Sequence, residues 1–113
     1  MPKDKNKSKK ERLEEFLRPN RFLGYDWANI GIYLYNIGAF EIAEMQFRRA
    51  NWLNPFEPKF KMLIARCLYK RGLMPEAFRW IKEAFEQKPK NEEIRRLFNT
   101  IKGGSRNGED IED

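Results

Sequence analysis

The side chains that most often carry catalysis are scarce in this chain and poorly placed for it. The 113 residues include no histidine and a single cysteine, Cys67. A histidine triad, a histidine metal site and an internal disulfide are therefore excluded. Two acidic pairs occur, Glu14 with Glu15 and Glu92 with Glu93, but adjacent residues of a helix point to different sides and cannot act as an acid–base couple. Without a phosphate-binding loop or metal-ligand spacing, the sequence predicts a protein that is not an enzyme and that uses no cofactor and no metal.

The charge balance favours acidic partners. Lys and Arg number 23 against 17 Asp and Glu, a net charge of +6, which suits an acidic protein, a nucleic acid or an anionic membrane without choosing among them. Aromatic residues make up 14% of the chain, and this content favours a packed domain over disorder. No apolar run approaches the roughly 20 residues of a membrane span, and none follows the lysine-rich start as a secretory signal requires. The expected location is cytoplasmic.

Helical periodicity divides the chain into three parts. Residues 1–20 form a basic segment with a short amphipathic helix, residues 21–102 form the main domain, and residues 103–113 form an acidic tail that is expected to be disordered. The main domain is predicted to contain helices over 26–37, 40–53 and 57–71, a fourth that Pro75 opens, and a fifth over 91–102 that Asn91 caps. The fold class is therefore all-α.

The N-terminal helix, residues 8–18, has a single apolar stripe made by Leu13, Phe16 and Leu17. Pro19 ends it, because the residue before a proline avoids helical angles. Such a stripe needs a surface to cover. The first hairpin of the same chain is one candidate, and another chain is the other.

Apolar residues at helical spacing predict which side of each helix faces inward. The first helix is expected to bury Trp27, Ile30, Leu34 and Ile37; the second, Ala43, Phe47 and Ala50; the third, Phe60, Ile64, Cys67 and Leu68; the fourth, Ala77, Phe78, Ile81, Ala84 and Phe85; the fifth, Ile94, Leu97, Phe98 and Ile101. Three further aromatics, Trp52, Trp80 and Phe56, are expected to be partly buried where hairpins meet.

The chain repeats itself after 34 residues, a spacing typical of helical-hairpin arrays. Glycines, alanines and prolines coincide, as do large and small apolar residues. The coinciding pairs are Gly31 with Ala65, Leu34 with Leu68, Gly38 with Gly72, Ala43 with Ala77, Phe47 with Ile81, Ala50 with Ala84 and Pro55 with Pro89. Such units cannot bury their apolar faces alone, so the sequence predicts two stacked hairpins.

These positions, together with Trp27 and Ile30, resemble the tetratricopeptide repeat, in which tryptophan, leucine, glycine, alanine, aromatic and proline residues recur at the same separations. The resemblance covers one repeat over about 24–57, a second over about 58–91, and a capping helix over 91–102. Lys61 departs from the pattern because it stands at the tryptophan position, where the neighbouring Phe60 is expected to substitute. The resemblance implies a right-handed superhelix whose concave groove holds an extended peptide or a partner helix.

By that resemblance, the groove mixes tyrosine, asparagine and basic residues. Asparagine can pair with a peptide backbone, arginine binds carboxylates in a two-pronged geometry, and tyrosine adds apolar contact with a polar tip. A lysine–asparagine carboxylate clamp is not expected, because Ala28 and Ile32 stand at its positions. The residues expected to bind a partner are Tyr25, Asn29, Ile32, Tyr35, Asn36, Lys59, Met62, Arg66, Tyr69, Lys70 and Arg96; Ala28, Leu63, Glu93 and Thr100 stand at neighbouring groove positions.

The resulting functional hypothesis is a non-enzymatic adaptor or scaffold that binds an acidic peptide or a helix of another protein in its groove. Two alternatives stay open. One is a structural subunit that assembles into homo-oligomers through the N-terminal helix. The other is a protein that binds RNA or single-stranded nucleic acid through phosphate contacts and stacking, which is less expected because most aromatics fill core positions.

Overall fold

A computed structural model describes residues 22–104, and within that range the chain forms five α-helices and no strand. The helices are α1 (Tyr25–Asn36), α2 (Phe40–Leu53), α3 (Pro58–Lys70), α4 (Met74–Gln87) and α5 (Glu92–Gly104). The all-α prediction is confirmed for this part of the chain. The predicted helix 8–18 and the acidic tail beyond Gly104 lie outside the described residues.

Two glycines end α1 and α3 in the same way. Gly38 has φ 86° and Gly72 has φ 81°, the left-handed region that glycine enters without steric cost. In each turn the glycine N–H donates to the carbonyl three residues earlier at 3.0 Å, and the next N–H donates to the carbonyl five residues earlier at 2.9 Å. This is the Schellman arrangement. The turn pairs α1 with α2 and α3 with α4 in two hairpins, hairpin 1 and hairpin 2.

The backbone of the two hairpins repeats with the sequence. Ala39 and Leu73, which precede the second helices, have φ/ψ of −86°/69° and −92°/73°. Asn54 and Lys88, which follow those helices, have −141°/78° and −141°/72°. Residues 34 positions apart therefore adopt the same conformation at both ends of the second helix, which is compatible with a helical repeat.

Local signals also fix where the later helices begin and end. Glu57 precedes α3 and its carboxylate accepts a hydrogen bond from the Lys59 N–H at 3.2 Å, while Asn91 precedes α5 and accepts from the Ile94 N–H at 2.9 Å. The predicted Asn91 cap is confirmed. Helix α5 runs to Gly104, two residues beyond its predicted end at 102.

Small residues let the helices approach closely. Ala43, Ala50, Ala77 and Ala84 are fully buried, as predicted. Gly31 plays the same part on α1, because a Cβ placed there would lie 2.5 Å from the Phe47 ring. The interior is thus a set of interlocking small and large side chains.

Helix α3 lies at the centre of the described domain. It packs against α2, α4 and α5, and nine of its 13 residues are buried. Three sides of this helix are therefore occupied, which leaves little of it for a partner. Met62 and Leu63, both expected to face a groove, lie in the core instead, as does Ala28 of α1.

The predicted inward face of α1 is wrong at two positions. Ile30 and Ile37 are exposed, and the residues that α1 buries fully are Ala28 and Gly31. Helix α1 has described neighbours on one side only, so its other side stays open although it is apolar. Trp52 of α2 and Phe56, both expected to be partly buried, are exposed as well.

Candidate functional site

The predicted partner-binding residues lie along α1, α3 and α5, the first helices of the two hairpins and the capping helix. The structure leaves Asn29, Asn36, Lys70 and Arg96 exposed, and half-buries Tyr25, Ile32, Tyr35, Lys59, Arg66 and Tyr69. Met62 is 1% exposed, so a partner cannot reach its side chain. We call the remaining ten residues the basic face.

One end of the basic face is built where α1 meets α3. The Tyr25 ring packs against Phe60 with 4.8 Å between ring centroids, and the Lys59 ammonium lies 6.0 Å from the Tyr25 ring centroid. Burial, helped by the negative charge of Glu57, raises the pKa of Tyr25 to about 12. The ring contact with Phe60 thus joins α1 to α3 at this end of the basic face.

Arg66 of α3 lies in the middle of the basic face. One guanidinium nitrogen lies 3.7 Å from a carboxylate oxygen of Glu93 on α5, which is longer than a good hydrogen bond. On the other side, burial raises the pKa of Tyr35, and the positive charge of Arg66 opposes that rise. Arg66 thus lies between side chains of α1 and α5, and its own carboxylate partner is loosely bound.

Two cations continue the basic face beyond Arg66. Lys70 is the last residue of α3 and is exposed, at a helix C-terminus where positive charge is favoured. The Arg96 side chain is 73% exposed, and its contact with Glu92 is 3.9 Å long. A pair this exposed and this long contributes little to stability, so Arg96 is available to another anion.

A small depression lies between the first turns of α3 and α5. Its volume is about 100 Å³, and it is lined by Glu57, Pro58, Lys59, Met62, Lys88, Asn91, Glu93 and Ile94. Small-molecule sites typically enclose roughly 300–1,000 Å³. The depression is too small for that purpose, so the basic face suits an extended or helical polymer better than an enclosed ligand.

Comparison with known proteins adds no assignment. No family model matches the chain, and no curated protein matches it. The likeness to tetratricopeptide repeats therefore rests on the 34-residue spacing and on the matching conformation of the two hairpins.

Three further observations on residues 22–104 concern the cysteine, metal ligands and membrane spans. Burial, with a further contribution from the charge of Glu44, raises the pKa of the Cys67 thiol to about 12, so this buried cysteine is not a nucleophile at neutral pH. Over the same residues, no three acidic or cysteine side chains are grouped as metal ligands. No helix there combines the length and the apolar character needed to cross a membrane.

Two buried charged residues near the basic face, Glu44 and Lys61, form hydrogen bonds that were not predicted from the sequence. Glu44 of α2 accepts hydrogen bonds from Arg71 at 2.6 Å and from Arg48 at 2.8 Å. Arg71 directly follows Lys70, so this network fixes the end of α3 that carries the basic face. No spacing rule would identify it, because Glu44 stands at the position where hairpin 2 has the apolar Phe78.

The second buried charge is Lys61, at the tryptophan position of the resembling family. Its ammonium donates to the Asn51 side-chain oxygen at 3.2 Å and to the Pro55 carbonyl at 2.9 Å. Burial lowers the pKa of Lys61, and the charge of Glu83 partly offsets this. Lys61 is thus held by hydrogen bonds to the end of α2 and to the connection that follows it, and the neighbouring Phe60 is fully buried.

Proposed function

We propose that the protein is a non-enzymatic adaptor of the tetratricopeptide-repeat type, which binds an acidic peptide or an acidic helix of another protein along its basic face. The observation that carries the proposal is the loose pair between Arg66 and Glu93. A half-buried guanidinium with a carboxylate at 3.7 Å is ready to accept a closer, two-pronged carboxylate from a ligand.

The neighbouring side chains suit such a ligand. Asn29 and Asn36 offer amide groups that can pair with a peptide backbone, and Lys70 offers a second positive charge about one helical turn from Arg66. Tyr35 and Tyr69 supply half-buried apolar area with a polar tip. The superhelical form of the family is part of the same proposal, and the repeated hairpin conformation supports it.

Binding of single-stranded RNA has less support. Bases stack on aromatic rings with a free face, whereas two tyrosines of the basic face already contact other rings: Tyr25 packs on Phe60 at 4.8 Å and Tyr35 makes an edge contact with Phe40 at 5.1 Å. The positive charge alone would bind nucleic acid with a steep salt dependence. Retention of a single-stranded RNA at low salt, unaffected by changes at Arg66, would favour this alternative.

The proposal is tested by selecting from a random peptide display library with the full chain. The wild type is expected to enrich peptides rich in Asp and Glu, and the variant Arg66→Glu with Lys70→Glu is expected to lose that enrichment because both cations become repulsive. A control with the same change in charge, Arg79→Glu with Lys90→Glu, alters two exposed cations outside the basic face and should keep it.

The outcome that would contradict the proposal is equally specific. If the Arg66/Lys70 variant keeps the helical circular dichroism of the wild type and enriches the same acidic peptides, the basic face is not the binding site. If both double variants lose the enrichment equally, net charge rather than this face attracts the peptides.

A further inference from the structure

The side of hairpin 1 that faces away from hairpin 2 carries an unusual set of exposed apolar side chains. They lie between 48% and 81% exposed. We call this set the open face; its members are Ile30, Tyr33 and Ile37 of α1 and Ile42, Met45 and Trp52 of α2.

The open face includes residues of both helices. Each set of three follows helical spacing, so each forms one stripe. Ile37 and Ile42 flank the turn between the two helices. Towards the other end, Arg49 stands between Met45 and Trp52 on α2, and its guanidinium lies 4.8 Å from the Trp27 ring centroid. A shallow groove of about 410 Å³ between Trp27 and Trp52 extends that end.

The burial of equivalent residues in hairpin 2 can be compared with that of the α1 stripe. The residues 34 positions after Ile30 and Tyr33 are Ile64 and Cys67, which are fully buried in the helix that packs on hairpin 1. Two of the three α1 positions are therefore buried in hairpin 2 by the packing of another hairpin, whereas the residue equivalent to Ile37 is the exposed Arg71.

The residues of hairpin 2 that are equivalent to the α2 stripe are charged. The residues 34 positions after Ile42, Met45 and Trp52 are Glu76, Arg79 and Glu86, and all three are exposed. Hairpin 2 thus places charges at positions that face solvent, whereas hairpin 1 places large apolar residues there. The α1 stripe thus includes positions at which a helical layer packs in hairpin 2, and the α2 stripe adds apolar side chains where hairpin 2 has charged ones.

The size of the open face points to what covers it. If the range of roughly 150–250 Å² for an aromatic side chain is applied to all six residues, their exposed fractions correspond to about 540–900 Å². A monomer's largest apolar patch is usually about 300–600 Å², and a stable dimer buries about 800 Å² per partner. We propose that the open face binds the open face of a second copy of this chain, in a two-fold symmetric dimer.

A second copy fits better than the predicted N-terminal helix of the same chain. That helix offers three apolar side chains, Leu13, Phe16 and Leu17, against six on the open face. A two-fold dimer presents an equal apolar area to each copy by symmetry. The two copies also repel through their net charge of +6, so association should strengthen when added salt screens that repulsion.

The test compares full-length proteins by sedimentation equilibrium over a concentration series. The wild type should approach twice the chain mass of 13.7 kDa, with a dissociation constant that falls as salt is raised. The key variant copies hairpin 2 onto hairpin 1 through Ile42→Glu, Met45→Arg and Trp52→Glu. It should remain folded, because hairpin 2 tolerates these residues at equivalent positions, and it should sediment as a monomer, a twofold loss of mass.

Matched variants separate the open face from other surfaces. Leu13→Glu with Phe16→Glu, and separately Arg66→Glu with Lys70→Glu, should both keep the wild-type mass. The second of these also keeps the dimer proposal distinct from the proposed function, since it removes peptide binding alone.

Three results would overturn the proposal. The first is a wild type that stays monomeric across the series, whether its own N-terminal helix or a different protein covers the open face. The second is a dimer that survives the three-residue graft. The third is a dimer that Leu13→Glu with Phe16→Glu abolishes, because the N-terminal helix rather than the open face would then join the copies.

Discussion

Cys67 is the residue whose surroundings make the clearest prediction for pH dependence. Its pKa rises from an ordinary value of 9.0 to about 12 in the folded protein, chiefly through burial. The neutral thiol is thus favoured by folding, and its contribution to stability is complete below about pH 9 and is lost as the pH rises towards 12.

The measurement is urea unfolding of the wild type and of Cys67→Ala at several pH values. Subtracting one from the other removes the effects of other titrating groups, among them the lowered pKa of Lys61. The wild type should be the more stable at pH 7, because alanine leaves a cavity. That advantage should shrink steadily above pH 9; an advantage that grows would contradict the burial of the thiol.

The close contact between Gly31 and Phe47 predicts the effect of a larger residue at position 31. Alanine at this position would place its Cβ 2.5 Å from the Phe47 ring, and overpacking of this kind costs about 1–3 kcal/mol. In hairpin 2 the equivalent pair is Ala65 and Ile81, so an alanine at the first position is combined with a smaller side chain than phenylalanine at the second. We therefore expect Gly31→Ala to lower the free energy of unfolding, and Gly31→Ala with Phe47→Ile to recover part of the loss.

A double-mutant cycle in urea checks this expectation. The single change Phe47→Ile should itself destabilise, because it leaves unfilled volume. The two changes together should cost less than the sum of the single costs. Strict additivity would show that the close approach of α1 and α2 does not depend on this pair.

At the scale of elements, Glu44 joins α2 to the end of α3. Its carboxylate is buried and accepts bonds from Arg71 at 2.6 Å and Arg48 at 2.8 Å. Glu44→Gln removes the charge that both arginines face, and we expect a loss of about 1–3 kcal/mol. Both arginines are partly exposed, which keeps the expected loss towards the lower end of that range.

The control for Glu44 is Glu41→Gln, one turn earlier on α2. Glu41 lies 3.7 Å from the same Arg71, but its side chain is 78% exposed. Glu41→Gln should change the free energy of unfolding, measured with urea, by less than about 0.5 kcal/mol. Equal losses from the two variants would mean that burial of Glu44 adds nothing to the interaction.

The elements themselves were predictable because each has a local signal. Gly38 and Gly72 end two helices, Asn91 begins another, and alanines mark where helices touch. These signals act within a few residues of chain. The partners of Glu44 and Lys61 come from elsewhere, and no local pattern specifies them.

For the whole molecule, spacing identified apolar faces but not whether a neighbour covers them. Ile30 and Ile37 were expected inside because they follow helical periodicity, and they are exposed because the described chain offers no helix on that side. The prediction for Met62 is wrong in the opposite direction. Met62 was expected to be exposed in a groove, and it is buried because α3 has neighbours on three sides. Of the candidate site, Asn29 and Lys70 are exposed, and their part in binding a partner stays a prediction.

The central position of α3 has a consequence for how the molecule opens. Most of this helix is buried, and it packs on α2, α4 and α5 at once, so neither hairpin can melt without uncovering it. Amide hydrogens of α3 should therefore exchange with deuterium only through global unfolding, with protection that matches the full free energy of denaturation. Helix α5, which rests on one side of the stack, should exchange faster by fraying from its Gly104 end.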